Sequence, residues 1–211
     1  MNKKIFILCL LVFSNCGKAI HREEWGGVAD GQKKKRVIVS DSFNRADNVT
    51  SLGSADTGQV WNLGGSAVYG IASSRARMFS GSGNVYVAIP ETDLLAIQVE
   101  ALIISTNFQL VFRQNDVSNS FWQLNSTPGN ATLTKSINGV VTNWNISATV
   151  SNGSVLRVEL RGCNIIAKLN STIVFNITDC AIHNGNQYGF EDSSPGDDAR
   201  FDNFLIEALE D

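Results

Sequence analysis

Amide, guanidinium and aromatic side chains recur at alternate positions in the middle of the chain, where they could bind a sugar. Residues 108–113 and 120–124 alternate apolar and polar side chains, which is the period of a β-strand. If these strands are adjacent, one set of side chains shares the face that points away from the core. The candidates on that face are Gln109, Arg113, Phe121 and Gln123. Trp144, which lies beside a predicted hairpin, is a further candidate for stacking on a sugar ring.

The chemistry of these groups suits a carbohydrate because amides and guanidinium groups are planar and bond to hydroxyls, whereas aromatic faces stack on sugar rings. The alternative is that the same side chains only cover a solvated sheet face. In that interpretation Arg113 forms a surface salt bridge.

Acidic residues near the C-terminus are candidate Ca²⁺ ligands, because this hard cation binds carboxylate and carbonyl oxygens. The candidates are Asp192, Asp197, Asp198 and Asp202. Their spacing fits no calcium-loop signature such as the EF-hand. The alternative is that they form turns and carry surface charge. The sequence requires no cofactor, and Ca²⁺ is a candidate ligand.

Two cysteines in the C-terminal third of the chain are predicted to form a disulfide. The sequence predicts a hairpin that turns at residues 170–171, and Cys163 and Cys180 then lie near one another at its open end. In an exported protein such a pair can oxidise. The alternative is two free buried thiols.

The elements that position these side chains are predicted to be β-strands throughout. From residue 37 onward, short runs with a two-residue period are separated by turn signals at intervals typical of an all-β sandwich or barrel. Asn138-Gly139 is the strongest hairpin signal. The block at residues 41–61 mixes apolar anchors with turn-forming residues, which predicts a turn-rich entry into the domain with Trp61 in the core.

The N-terminus has the pattern of an export signal. A basic start is followed by an apolar run over residues 5–13, which is too short to span a membrane as a helix. Residues 1–18 are therefore predicted to be a signal peptide. Its end resembles a bacterial lipoprotein signal, which implies lipidation at Cys16, although Asn15 departs from the usual small residue. The alternative is an ordinary cleaved signal with an incidental cysteine.

Residues 19–36 are predicted to be a flexible charged linker, and residues 37–211 one domain. The net charge of −3 gives no overall attraction to nucleic acid, so no nucleic-acid partner is expected. Contact with a membrane is expected only through the lipid anchor. Residues 25–31 resemble segments of bacteriophage structural proteins, which leaves a virion component open.

The domain as a whole resembles the concanavalin A-like lectin/glucanase family, which is laminin-G-like in a broad sense. The order and spacing of several short segments carry the resemblance: residues 41–47, 57–61, 110–113, 119–121, 156–160, 165–169, 188–190 and 199–204. The resemblance implies an all-β fold in which two curved antiparallel sheets form a jelly-roll sandwich, with a concave face that often meets glycan. Glycan-cleaving enzymes of this superfamily carry two Glu flanking an Asp at alternate positions, and no such triplet occurs here.

These observations predict an exported, non-catalytic domain that recognises a carbohydrate at the cell surface or in the periplasm. One alternative is a structural or adhesion component without a sugar site, such as a bacteriophage tail or decoration protein. The other is a glycan hydrolase that lacks the usual carboxylate pattern.

Overall fold

In the computed structural model, the described residues of the chain form fifteen β-strands. The structure describes residues 36–90, 93–103, 108–115, 118–193 and 199–210, without the side chains of residues 102 and 103. The predicted signal peptide, Cys16 and the linker before residue 36 lie outside the described residues. The strands are β1 (Arg36–Asp41), β2 (Asn62–Leu63), β3 (Val68–Ile71), β4 (Ala76–Ser80), β5 (Asn84–Ala88), β6 (Leu94–Ile103), β7 (Phe108–Asn115), β8 (Ser120–Thr127), β9 (Asn130–Ile137), β10 (Val140–Ser147), β11 (Ser154–Arg161), β12 (Asn164–Leu169), β13 (Thr172–Thr178), β14 (Gln187–Asp192) and β15 (Arg200–Ala208).

The strands form two antiparallel sheets. The eight-stranded sheet has the order β13-β12-β11-β6-β15-β4-β3, with β1 paired to β15 outside this path. The seven-stranded sheet has the order β10-β9-β8-β7-β14-β5-β2. Neighbours such as β6 and β15 are far apart in sequence, so the chain passes repeatedly between the sheets. The predicted all-β sandwich is confirmed.

The core lies between the inner faces of the two sheets and is rich in aromatic rings. Phe190 on β14 stacks on Phe201 on β15, with 4.1 Å between the ring centroids. Trp61 lies edge-on to Phe190 at 5.3 Å and to Phe204 at 5.0 Å. Such contacts between rings stabilise a core beyond the area they bury. The predicted core position of Trp61 is confirmed.

The turn-rich segment after β1 is fixed by Asp41, whose carboxylate is buried. Arg45 donates to both carboxylate oxygens, at 2.7 and 2.8 Å. The Trp61 Nε1–H donates to Oδ2 at 2.7 Å, and the Phe43 backbone N–H donates to Oδ1 at 2.8 Å. One side chain therefore connects the end of β1 to the aromatic core. β1 itself begins at Arg36, one residue before the predicted start of the domain.

The hairpin predicted at Asn138-Gly139 is present. Both residues have positive φ angles, 50° and 82°, as a tight two-residue turn requires. The turn pairs Val140 with Ile137 and fixes the register of β9 and β10. Among the described residues, the structure has no helix that is long and apolar enough to cross a membrane.

The hairpin of β12 and β13 carries the Cys163–Cys180 disulfide at its open end. The two Cα atoms are 4.7 Å apart, and the cysteines are separated by 17 positions in the sequence. The Asp179 backbone N–H donates to the Cys163 carbonyl at 2.9 Å, so the hairpin pairing continues up to the disulfide. The disulfide thus closes this hairpin covalently where its strand ladder ends.

Candidate functional site

A groove of about 650 Å³ runs across the outer face of the seven-stranded sheet. Strands β8, β7, β14 and β5 supply its floor, and the turns after β2 and before β5 supply one wall. The lining residues are Leu63, Gly64, Gly65, Gly83, Asn84, Tyr86, Gln109, Val111, Gln114, Asn119, Phe121, Gln123 and Glu191. This lining contains three of the five residues predicted to bind a sugar, which are Gln109, Phe121 and Gln123.

The strand register arranges polar side chains in rows across the floor. Glu191 on β14 is in register with Gln109 on β7 and with Asn84 on β5. In the neighbouring row Gln123 is opposite Val111, which in turn is opposite Gly189. Because the period of a strand is two residues, each row projects from the same face as the next one. The rows bring together groups that lie far apart in sequence.

Hydrogen bonds hold several of these side chains in place. Gln123 Nε2 donates to Glu191 Oε2 at 3.0 Å, and the Asn84 amide donates to Gln114 Oε1. Gln109 Oε1 is buried and has no hydrogen-bond partner within the described part of the chain. A buried acceptor without a partner costs free energy. A ligand hydroxyl that donated to Gln109 would remove this cost.

The surroundings of Glu191 raise the pKa of its carboxyl group above that of an exposed glutamate. Burial raises the pKa of the Glu191 carboxyl, and the neighbouring charge of Asp192 raises it further. The hydrogen bond from Gln123 opposes this by lowering the pKa, but the net pKa is above the ordinary value for glutamate. When ionised, the carboxylate offers only acceptor sites.

Two aromatic rings, Phe121 on β8 and Tyr86 on β5, lie on the same face and are partly exposed. Tyr86 is in register with Gly189, where the absence of a side chain leaves the floor low. A Cβ atom at Gly189 would lie 1.9 Å from the Val85 carbonyl oxygen, so only glycine allows this close approach of β14 to β5. The groove therefore has amide, carboxylate and aromatic groups within one concavity.

Arg113 does not belong to this surface, in contrast to the prediction. Its side chain is 0% exposed, and its Nη2 donates to the Gly162 carbonyl at 2.6 Å. The register of β7 shifts between Phe112 and Asn115, and Arg113 has a φ angle of 50°. This irregularity breaks the two-residue period. As a result Gln114, the next residue, lies in the groove while Arg113 turns inward.

Trp144 also lies elsewhere. It is opposite Leu133 in the register of β9 and β10, on the core side of the sheet. Its ring stacks on Trp122 with 5.7 Å between centroids, and the Lys135 ammonium lies 5.8 Å from the Trp144 ring centre. The ring thus covers the edge of the core instead of the groove.

The predicted Ca²⁺ ligands are only partly described. Asp197 and Asp198 lie outside the described residues. Asp192 lies in β14, and its side chain is buried. Asp202 lies on β15 in the other sheet, 3.9 Å from Arg75. In the described ranges no group of three or more His, Cys, Asp or Glu residues could hold a metal ion. Binding of Ca²⁺ stays a prediction.

Sequence reasoning missed several members of the site. Glu191 is not among the predicted binding residues, although it lies in β14, which extends to Asp192. Tyr86 is likewise not among the predicted binding residues. The signal that was available is the alternation of β5, in which Tyr86 faces away from the buried Val85 and Val87.

Comparison with known proteins supports the architecture. No protein-family profile and no curated protein matches the sequence. Among solved structures, the carbohydrate-binding module CBM66 from Bacillus subtilis superposes with a TM-score of 0.59 at 15% identity. The match covers 76% of this chain and 98% of the module. A Bacillus subtilis protein of unknown function with a galectin-like fold superposes with a TM-score of 0.58 at 9% identity, over 83% of this chain and 97% of that protein.

An enzyme has a similar structure. A non-specific endo-β-1,3(4)-glucanase of family GH16, co-crystallised with 1,3-β-D-cellotriosyl-glucose, superposes with a TM-score of 0.58 at 8% identity, over 84% of this chain and 96% of the enzyme. At such identities these similarities define the fold. The chain has the concanavalin A-like lectin/glucanase fold, as the sequence predicted.

Proposed function

We propose that this domain binds a carbohydrate, without cleaving it, in the groove of the seven-stranded sheet. The observation that carries the proposal is the composition of that groove. Amides and a carboxylate lie in register across the floor, and Phe121 and Tyr86 lie on the same face. Sugars need both kinds of group, since their hydroxyls bond to planar polar groups and their rings stack on aromatic faces.

The contrast between the two outer faces supports this location. On the outer face of the eight-stranded sheet, Arg157 pairs with Glu159 and Glu207, each at 3.1 Å. Lys168 also pairs with Glu159, at 2.7 Å, so the network contains three ion pairs. These side chains are only partly exposed, and they pair with one another, so this network, within the described residues, offers no free polar groups of the kind that line the groove. The groove has amides and aromatic rings where the other face has ion pairs. Exposure to solvent alone would not select amides and aromatic rings on one face only.

The solved structures are consistent with the proposal. CBM66 is described as a carbohydrate-binding module, and the GH16 glucanase was crystallised with an oligosaccharide. Both share this fold, although the low identities carry over no individual residue. Hydrolysis of a glycosidic bond normally takes two carboxyl groups on either side of it. Glu191 is the one carboxylate among the lining residues that the structure describes. We therefore propose recognition without hydrolysis.

We further propose that the protein acts outside the cytoplasm, in the bacterial envelope or secreted. The signal-like N-terminus motivates this, and the Cys163–Cys180 disulfide supports it because disulfides persist in oxidising compartments. Lipid anchoring through Cys16 belongs to the same proposal. Cys16→Ala should abolish labelling of the protein by a radioactive fatty acid when it is expressed in bacteria, and persistent labelling would refute the anchor.

A glycan-array screen of the purified protein, with and without Ca²⁺, tests the binding function. We expect a specific set of glycans to bind, and we expect Phe121→Ala and Gln123→Ala each to weaken that binding by roughly 1–2 kcal/mol, which is about five- to thirtyfold. Matched controls are Ile173→Ala and Asn176→Ala. Both controls remove exposed side chains on β13 of the other sheet and should leave the affinity unchanged.

Circular dichroism of all four variants separates lost binding from lost fold. Binding that needs Ca²⁺ would direct attention to the acidic residues near the C-terminus. If the control variants weaken binding as much as the groove variants do, the binding site lies elsewhere. A native protein that binds no glycan would refute the proposal and favour a structural role for the sandwich.

A further inference from the structure

We infer that the groove selects uncharged, hydroxyl-rich glycans and rejects acidic ones, with Glu191 as the residue that makes this distinction. The inference rests on the proposed function, since it concerns the ligand class of the same groove. It starts from the charges of the lining. Glu191 is the one charged side chain among the lining residues in the described part of the chain, and the remaining polar groups there are neutral amides and one phenol.

The acceptors in the groove indicate what a ligand must supply. An ionised Glu191 offers only acceptor sites, and Gln123 fills one of them. Gln109 Oε1, in register with Glu191 on the adjacent strand, is a buried acceptor without a partner in the described ranges. A ligand that satisfies both acceptors, the Glu191 carboxylate and Gln109 Oε1, must supply two neighbouring donors. Adjacent hydroxyl groups of a sugar ring provide such a pair.

An acidic sugar fits this arrangement poorly. A uronic acid replaces a hydroxymethyl group with a carboxylate that donates no hydrogen bond at neutral pH. A sulfated sugar likewise replaces a hydroxyl donor with an anion. Either would also bring a like charge toward Glu191 within a partly dehydrated concavity, where charge repulsion is stronger than in water. No cationic side chain is present in the described lining to offset that repulsion.

An amino sugar is the other alternative, because an ammonium group would be attracted to Glu191. It can donate but cannot accept. The groove also has amides that donate, such as the exposed Asn119 at its edge. A hydroxyl both donates and accepts, so it matches both kinds of group. The geometry therefore favours a neutral polyol over a cationic sugar.

The test compares matched ligands on the full-length protein. The array carries neutral hexose oligosaccharides, their uronic-acid and sulfated counterparts, and chitosan oligomers. We expect the native protein to bind neutral members and to bind the corresponding uronic acids at least about tenfold more weakly, a modest effect for a like-charge contact in a protein site. Titration calorimetry with the best neutral ligand and its uronic counterpart then gives the ratio of their affinities.

Two variants assign the effect to a residue. Glu191→Gln keeps an acceptor oxygen. It should reduce the ratio of the neutral to the acidic affinity by about tenfold, chiefly by tightening the binding of the acidic ligand. Glu100→Gln makes the same change in net charge on the other sheet, where Asn203 contacts Glu100, and should leave the ratio as it is in the native protein.

Each outcome decides the matter. Tighter binding of uronic, sulfated or chitosan ligands than of neutral ones by the native protein would overturn the inference and leave the proposed function standing. An unchanged ratio in Glu191→Gln would overturn the role of that residue. The comparison on the native protein holds even if the variant does not fold. Absence of binding to every glycan would refute the proposed function itself, and the inference with it.

Discussion

Replacing Asp41 by Asn would test whether one buried carboxylate fixes the entry segment to the core. Asp41 is 1% exposed, and its oxygens accept from Arg45, Trp61 and the Phe43 backbone. Asn keeps the size of the side chain but presents an NH₂ group in place of one oxygen. Donors on Arg45 or Trp61 would then face a donor, and Arg45 would lose its buried counter-ion and keep only the exposed Asp56 nearby.

The expected cost follows from this loss. Removing one partner of a buried ion pair costs about 3–5 kcal/mol. The Arg45 side chain is 28% exposed, so water partly compensates it and the low end, about 3 kcal/mol, applies. For a protein of this size, each kcal/mol lowers Tm by about 2–4 °C, which gives a fall of about 6–12 °C.

Urea unfolding followed by tryptophan fluorescence measures the effect, because Trp61 is buried next to Asp41. The matched control is Asp56→Asn. Asp56 also lies near Arg45, at 3.8 Å, but its side chain is 49% exposed, so we expect a loss below about 1 kcal/mol. The slope of the transition should not change. If Asp41→Asn is no less stable than Asp56→Asn, the reasoning about this carboxylate is refuted.

Three further predictions concern the disulfide, the buried arginine and the groove carboxylate. Reducing Cys163–Cys180, which closes a short loop, should lower the free energy of unfolding by about 3 kcal/mol in urea titrations with and without reductant; an unchanged midpoint would contradict this. Arg113→Ala should destabilise the fold by more than about 2 kcal/mol in the same assay, because it empties a buried site and leaves a carbonyl without its donor. Any loss of glycan binding in that variant should follow its unfolded fraction. Since burial raises the pKa of Glu191, the folded state holds that proton more tightly than the unfolded state, so this residue lowers stability as pH rises from about 4 through its raised pKa. The native-minus-Glu191→Gln difference in unfolding free energy should show this fall, and a flat difference would contradict it.

The alternation of the sequence was enough to predict much of the sandwich and part of its groove. β8 keeps a strict two-residue period, with every second side chain buried, so Phe121 and Gln123 lie on the predicted face. The tight turn at Asn138-Gly139 fixed the register of its hairpin in the same way. That register also places Trp144 opposite Leu133, so its core-side position could have been read from the turn.

Arg113 could not be placed correctly from alternation alone. The period of β7 fails where Arg113 adopts a positive φ angle, a conformation that favours glycine or asparagine over arginine. Tertiary contacts impose it. The Gly162 carbonyl accepts from the side chain, and the backbone of Arg113 packs so closely on Gly185 that a Cβ there would lie 2.1 Å from its carbonyl oxygen. Both partners come from distant parts of the chain, so local sequence carries no sign of the irregularity.

The two sides of the groove are built by different means, and this bears on how its specificity can change. One side is a ladder of side chains, from Gln123 through Glu191, whose identity can vary without moving the backbone. The other side is backbone. A Cβ at Gly83 would lie 2.1 Å from the Gly64 carbonyl oxygen, and one at Gly65 would lie 2.6 Å from the Ser82 carbonyl oxygen. These glycines let the turn after β2 and the turn before β5 approach closely, and any larger residue would force the two turns apart. Substitutions on the ladder should therefore alter which glycan binds, whereas substitutions at the glycines should alter the width of the groove and weaken every ligand together.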